Sequence, residues 1–162
     1  MARGVKSGDS SASLLSELRL SSGTARFAGT PTKGHVMHRG ACLCGAITFE
    51  VTGALPPPDA CHCSRCRKQS GHFWASTDVP RAAVTIHGAD KVTWFRSSEK
   101  VRRGFCSTCG SVLFWDPIHR DWMGIAMGAF DAPTHVRLAK HIFVASKGDY
   151  YELGDGVPQH ER

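Results

Sequence analysis

A chain of 162 residues is enough for one domain with a modest core, and 41% apolar with 21% charged residues excludes disorder along its whole length. No apolar run approaches the ~20 residues that cross a membrane, and the N-terminus lacks the continuous apolar segment of a secretory signal, so a cytoplasmic protein is expected. The formal charge of +6 favours anionic partners, but seven thiolates holding two divalent ions would take three units from it and leave about +3. The basic residues are also scattered rather than interleaved with aromatics, which argues against nucleic acid.

In chain order, residues 1–37 are rich in Ser, Gly and Thr and read as a flexible or weakly helical N-terminal extension. Its one amphipathic piece, SASLLSELRL, is short, and it keeps a mitochondrial location as the alternative. The texture changes at His38, where a single domain running to Arg162 is expected to begin. Gly45 to Val51 alternates in character and is rich in β-formers, so it predicts a strand. Leu55-Pro56-Pro57-Pro58-Asp59 predicts a loop, because three prolines suit neither helix nor sheet interior.

Further strands are predicted over His72–Thr77, Ala83–His87, Val92–Phe95, Val101–Phe105, Ser111–Trp115, Ile125–Met127 and His141–Ala145. One short helix is predicted from Ser64 to Gln69, with Ser64 capping its start and Ser70-Gly71 ending it. The architecture expected is therefore mainly β. Phe73, Trp74, Trp94, Phe95, Phe114 and Trp115 are expected mostly in the core, and Asp59, Asp78 and Asp116 as turn formers rather than bases. Arg65, Arg67 and Lys68 either steer an anionic substrate or form a solvated helix face.

The cysteines carry the chemistry: Cys42, Cys44, Cys61, Cys63, Cys66, Cys106 and Cys109. Their number is odd and they are locally clustered without a secretion signal, so metal binding fits better than a disulfide framework. Cys106-Ser107-Thr108-Cys109-Gly110 is a C-x-x-C at a predicted hairpin turn, where the glycine allows backbone amides to point at sulfur. Cys42-Leu43-Cys44 puts two thiols on one face if the backbone is extended, with Leu43 turned into apolar packing. These two pairs can close a four-thiolate structural site, for zinc or for iron. Cys61, Cys63 and Cys66 then remain, and three protein ligands with an exchangeable fourth position is the catalytic arrangement for zinc. His62 or His72 closing that site is the alternative, although an extended backbone aims His62 away from it. Spacing alone leaves other partitions of the seven open.

The stretches HRGACLCGAITFEV, CHCSRCRKQSG, FCSTCGSVLFW and HIFVASKGDYYELGDGVPQHE together resemble the glutathione-dependent formaldehyde-activating enzymes and their centromere-protein-V-like relatives, in the family's order, over about residues 38–161. The resemblance implies a small, zinc-stabilised β-tent of the Mss4-like kind, built of short antiparallel strands with one short helix. It implies two zinc ions per chain: a structural one on Cys42, Cys44, Cys106 and Cys109, and a labile one at an active site of Cys61, Cys63 and Cys66. It further implies condensation of formaldehyde with glutathione to S-hydroxymethylglutathione, a carbon–sulfur lyase in the reverse sense. Tyr150 and Tyr151 stand near where a tryptophan is common in the family. A noncatalytic zinc module that binds a thiol or a protein partner is the rival expectation.

Overall fold

The computed structural model describes residues 36–162; the amphipathic stretch and the rest of residues 1–35 lie outside the described residues. Ten strands and one helix follow in the order β1 (Met37–Ala41), β2 (Thr48–Thr52), β3 (Asp59–Cys61), α1 (Ser64–Ser70), β4 (Trp74–Pro80), β5 (Val84–His87), β6 (Val92–Arg96), β7 (Val101–Cys106), β8 (Val112–Pro117), β9 (Trp122–Ala126) and β10 (Lys140–Ile142). They form a three-stranded sheet, β1-β2-β5, and a seven-stranded sheet, β10-β3-β4-β9-β8-β7-β6. The fold is mainly β with one short helix, as the sequence predicts. Every strand pair is antiparallel except β10 with β3, which run parallel with Ile142 opposite Cys61.

The core lies where the inner face of β2 meets the larger sheet. Phe49 and Val51 alternate inward and pack with Val79, Leu113, Phe114, Met123 and Ile125, all buried. Phe49 meets Phe114 edge-on at 5.9 Å and Phe130 at 5.1 Å. Burying a side chain of this size contributes roughly 1.5–3 kcal/mol. Gly40 makes the close approach possible, since a Cβ there would collide with the Phe49 ring and the Ala129 carbonyl. A second, smaller cluster is built on Cys66, Trp74 and Ala126, with Cys61, Cys63, Val112 and Trp115 against it. Each group of cysteines therefore borders its own apolar cluster.

Several local expectations are corrected. Cys42-Leu43-Cys44 is not extended: Gly45 N donates to Cys42 O at 3.0 Å and closes a turn. Leu43 is accordingly 88% exposed at the turn's tip instead of packed, while its amide donates to Ser111 Oγ. Asp59, Asp78 and Asp116 sit in β3, β4 and β8, not in turns. Phe95 is 59% exposed because it faces outward on β6, the edge strand of the larger sheet. The strand predicted over His141–Ala145 ends at Ile142 and gives way to a short helical turn, Val144–Ser146, after Phe143 adopts a left-handed backbone. The helix cap is Cys63 rather than Ser64, and Gly71 ends the helix at φ 81° as a left-handed cap.

Candidate metal centres

The turn after β1 and the turn between β7 and β8 converge. They bring the sulfurs of Cys42, Cys44, Cys106 and Cys109 within 4.8 Å of one another. Cys42 Sγ lies 3.6 Å from Cys44 Sγ, which lies 3.8 Å from Cys106 Sγ. Bonds of ~2.3 Å to a tetrahedral ion require ~3.8 Å between sulfurs, so this spacing fits a four-thiolate metal site. Backbone amides supply the outer contacts: Ile47 N donates to Cys42 Sγ at 3.2 Å and Thr108 N to Cys106 Sγ at 3.4 Å. Gly110, at φ 76°, lets the chain turn back so that its own amide reaches Cys106 O.

The second group forms where β3 runs into α1. Cys61, at the end of β3, Cys63, at the helix cap, and Cys66, one turn into α1, have their sulfurs within the same 4.8 Å. Neither predicted histidine joins them. His62, which lies between two of the cysteines in sequence, is fully buried and contacts Tyr151 and His141 instead. His72 pairs with the Tyr150 hydroxyl at 3.0 Å.

The His62 contacts form a chain that ends on a carboxylate. The Asp155 carboxylate only accepts, so His141 Nε2 donates to it at 2.9 Å. His141 Nδ1 lies 2.8 Å from His62 Nε2, and His62 Nδ1 lies 2.5 Å from the Tyr151 hydroxyl. Burial, then the neighbouring His141, pushes His62 down to about 4, which favours a neutral ring. Sequence reasoning missed His141 and Asp155, which lie 79 and 93 residues beyond His62.

Electrostatics in both groups suit a cation. All seven thiols are free, and each group holds one thiol well below and one well above the ordinary range. A hydrogen bond from Cys61, with Arg103 adding to it against burial, brings Cys66 down to about 6. Cys61 moves up, through that same bond and its own burial. In the other group the Ser111 hydroxyl and amide bring Cys109 down to about 5. Cys44 is pushed up to about 11: the Ala46 amide favours its thiolate, but Cys109, then loss of water, then Cys42 and Cys106 outweigh it together. Crowded thiols cannot all ionise alone, whereas one divalent ion satisfies the whole set.

A cavity of about 430 Å³ opens beside the three-cysteine group and has the size of a small-ligand site. Cys61, Cys63 and Cys66 line it with Trp74, Trp115 and Trp122, and Arg103, Arg65 and Asp78 bring charge. Trp115 and Trp122 stack at 5.4 Å. Arg65, Ser97 and Arg103 are shared with an adjoining cavity of about 640 Å³ that also contains Lys68 and the exposed Phe95. Arg65 and Lys68 thus face ligand-sized space. Asp116 serves structure instead: buried in β8, it receives Arg81 Nη2 at 2.5 Å and Arg102 Nε at 2.7 Å. Among the described residues, no helix is long and apolar enough to cross a membrane.

Residues 37–146 match the family described as glutathione-dependent formaldehyde-activating enzyme. A Halomonas elongata protein provisionally named as such an enzyme is 30% identical over 128 residues, 70% of this chain and 79% of the relative. An uncharacterised lyase of Schizosaccharomyces pombe is 32% identical over 79 residues, covering 48% of this chain and 56% of the relative. A crystal structure of a Rhodobacter sphaeroides protein shares the fold with TM-score 0.50 at 22% identity, over 59% of this chain and 89% of that chain.

Proposed function

The chain belongs to the glutathione-dependent formaldehyde-activating enzyme family, and from that premise we propose that it is a zinc-dependent carbon–sulfur lyase of the S-(hydroxymethyl)glutathione synthase type. Glutathione, or a related thiol, and formaldehyde are its substrates in this reading. The observation that carries it is the three-cysteine group opening onto a 430 Å³ cavity with both nearby histidines engaged elsewhere. A fourth position left to a small molecule distinguishes a working site from a structural one.

Cys42, Cys44, Cys106 and Cys109 would hold a structural zinc ion, and Cys61, Cys63 and Cys66 a labile one. At the second site a bound ion would supply deprotonation of a substrate thiol and polarisation of the aldehyde oxygen. The chain's own residues do the rest. Arg103 keeps positive charge against Cys66, and the three tryptophans line the cavity and restrict water around the reacting sulfur. The condensation forms one carbon–sulfur bond while the carbonyl becomes a hydroxymethyl group. The proton lost by sulfur balances the proton gained by oxygen, so no redox partner or leaving group is involved. Seven free thiols support a reducing compartment, the cytoplasm, as the place of this work.

The exposed Phe95 and Phe143 beside the two cavities favour a second reading, a noncatalytic zinc module that binds glutathione, a thiol adduct or a protein partner. Replacing Cys63 by Ser separates the two. The lyase reading expects turnover to disappear while the fold persists. Absence of turnover in the intact zinc-loaded protein, with thiol binding preserved, supports the module.

A further inference from the structure

Asp78 is a carboxylate without a partner. Among the described residues it receives no hydrogen bond and no ion pair, whereas Asp59, beside it in the cavity, is paired with Lys140 at 3.3 Å. It projects from β4 on the same face as Trp74 and Ser76 and lines the cavity with all three cysteines of the second group. Room for its side chain comes from Gly124 on β9, directly opposite: a Cβ there would lie 3.1 Å from Asp78 Oδ1. The stacked Trp115 and Trp122 share this part of the wall. A lone carboxylate beside aromatic faces is the chemistry that receives an ammonium group.

Register fixes how far this carboxylate is from the thiols. Cys61 pairs with Trp74, and Asp78 lies four residues further along β4. That is ~13 Å of strand, too long for proton exchange with a group carried on the substrate sulfur but suited to the substrate's far end. In a γ-glutamyl thiol peptide the ammonium lies about eight bonds from the sulfur, roughly 10 Å when extended. Of the basic side chains, Lys140 is bonded to Asp59, while Arg65 and Arg103 lead from this cavity into the adjoining one, where Lys68 is added. Burial and the nearby Asp59, only partly offset by Lys140, push Asp78 up to about 6, as expected of a carboxylate lacking a counter-cation.

We propose that Asp78 is a specificity-determining residue that receives the α-ammonium group of a zwitterionic thiol substrate, with the carboxylate-bearing end lying toward Arg65 and Lys68. This rests on the reading that the three-cysteine group takes the substrate thiol. The test is calorimetric titration of the full-length zinc-loaded protein and its Asp78→Asn variant with two probes, glutathione and desamino-glutathione, in which hydrogen replaces the ammonium. Asn keeps the shape, and an unchanged melting temperature verifies the fold. The expected result is about tenfold weaker glutathione binding in the variant, with desamino-glutathione bound equally by both proteins. Equal weakening of both probes, or of neither, overturns the role of Asp78 while leaving the thiol site standing. Failure of the intact protein to bind glutathione overturns the thiol site and the Asp78 assignment together.

Discussion

Arg103 directs both terminal nitrogens at the Cys66 sulfur, Nη2 at 3.6 Å and Nη1 at 3.7 Å. The guanidinium is anchored by Gln69 Oε1 at 2.9 Å and Ser97 Oγ at 3.3 Å, and the residue is only 6% exposed. A buried cation needs a counter-charge. Three thiolates around one divalent ion would carry a net charge of −1, which Arg103 would neutralise; among the described residues the four-cysteine group has no such arginine contact.

Arg103→Gln is therefore expected to weaken zinc at the three-cysteine site by about 10–100-fold, as loss of outer partners of metal ligands does. Arg103→Lys recovers part of that loss, since it restores charge without the fork. Chelator competition reads both, with the four-cysteine site in the same molecule as the unchanged reference. Equal affinity in Arg103→Gln contradicts the role.

Cysteine substitutions at the two sites should have different consequences. Cys109 ties the β7–β8 turn to the turn after β1, so Cys109→Ser is expected to lose its zinc and the folded domain together, seen as loss of the β circular-dichroism signal. Cys63→Ser removes a ligand from a group held by one strand end and one helix turn, and should keep the fold with one zinc per chain. A soluble, normally melting Cys109→Ser protein contradicts this division of labour.

Asp116 makes stability depend on acid. Burial alone would raise its carboxyl, but hydrogen bonds from Arg81 and Arg102 outweigh that and hold it below the usual range. Its folded pKa is depressed, so its contribution is fully present above the unfolded value of about 4 and is lost as pH falls through the folded value. Asp116→Asn should cost about 2–3 kcal/mol at pH 7, below the full buried-pair cost because the arginines are 38% and 41% exposed and re-solvate. The difference from wild type in denaturant unfolding should shrink toward pH 3; a constant difference contradicts the ion-pair account.

The chain Tyr151–His62–His141–Asp155 fastens the C-terminal segment to the strand that carries Cys61. His141→Ala leaves His62 and Asp155 without their partner and should destabilise the domain by about 1–3 kcal/mol, measured by denaturant unfolding. A change below about 0.5 kcal/mol contradicts the fastening role.

The legibility of these features in the sequence depended on how local their causes are. The cysteine groups could be read because ligand chemistry and short spacing are local, and most strands because alternation and β-branched residues are. Arg103 could not, because it meets Cys66 across 37 residues and no pattern near either one signals it. The parallel β10–β3 pair and the His62 chain depend on contacts of similar or greater range. Leu43 misled because strand alternation was assumed for a C-x-C that closes a turn. Residue type suggests a turn former at Asp78, yet its position on β4 places it in the cavity.

The most direct test of the central claim is two-dimensional exchange NMR on equilibrated glutathione and labelled formaldehyde, with zinc-loaded protein and with Cys63→Ser. Faster interconversion of formaldehyde and S-hydroxymethylglutathione with the intact protein alone is the predicted result. Exchange at the uncatalysed rate in both samples contradicts a carbon–sulfur lyase centred on Cys61, Cys63 and Cys66.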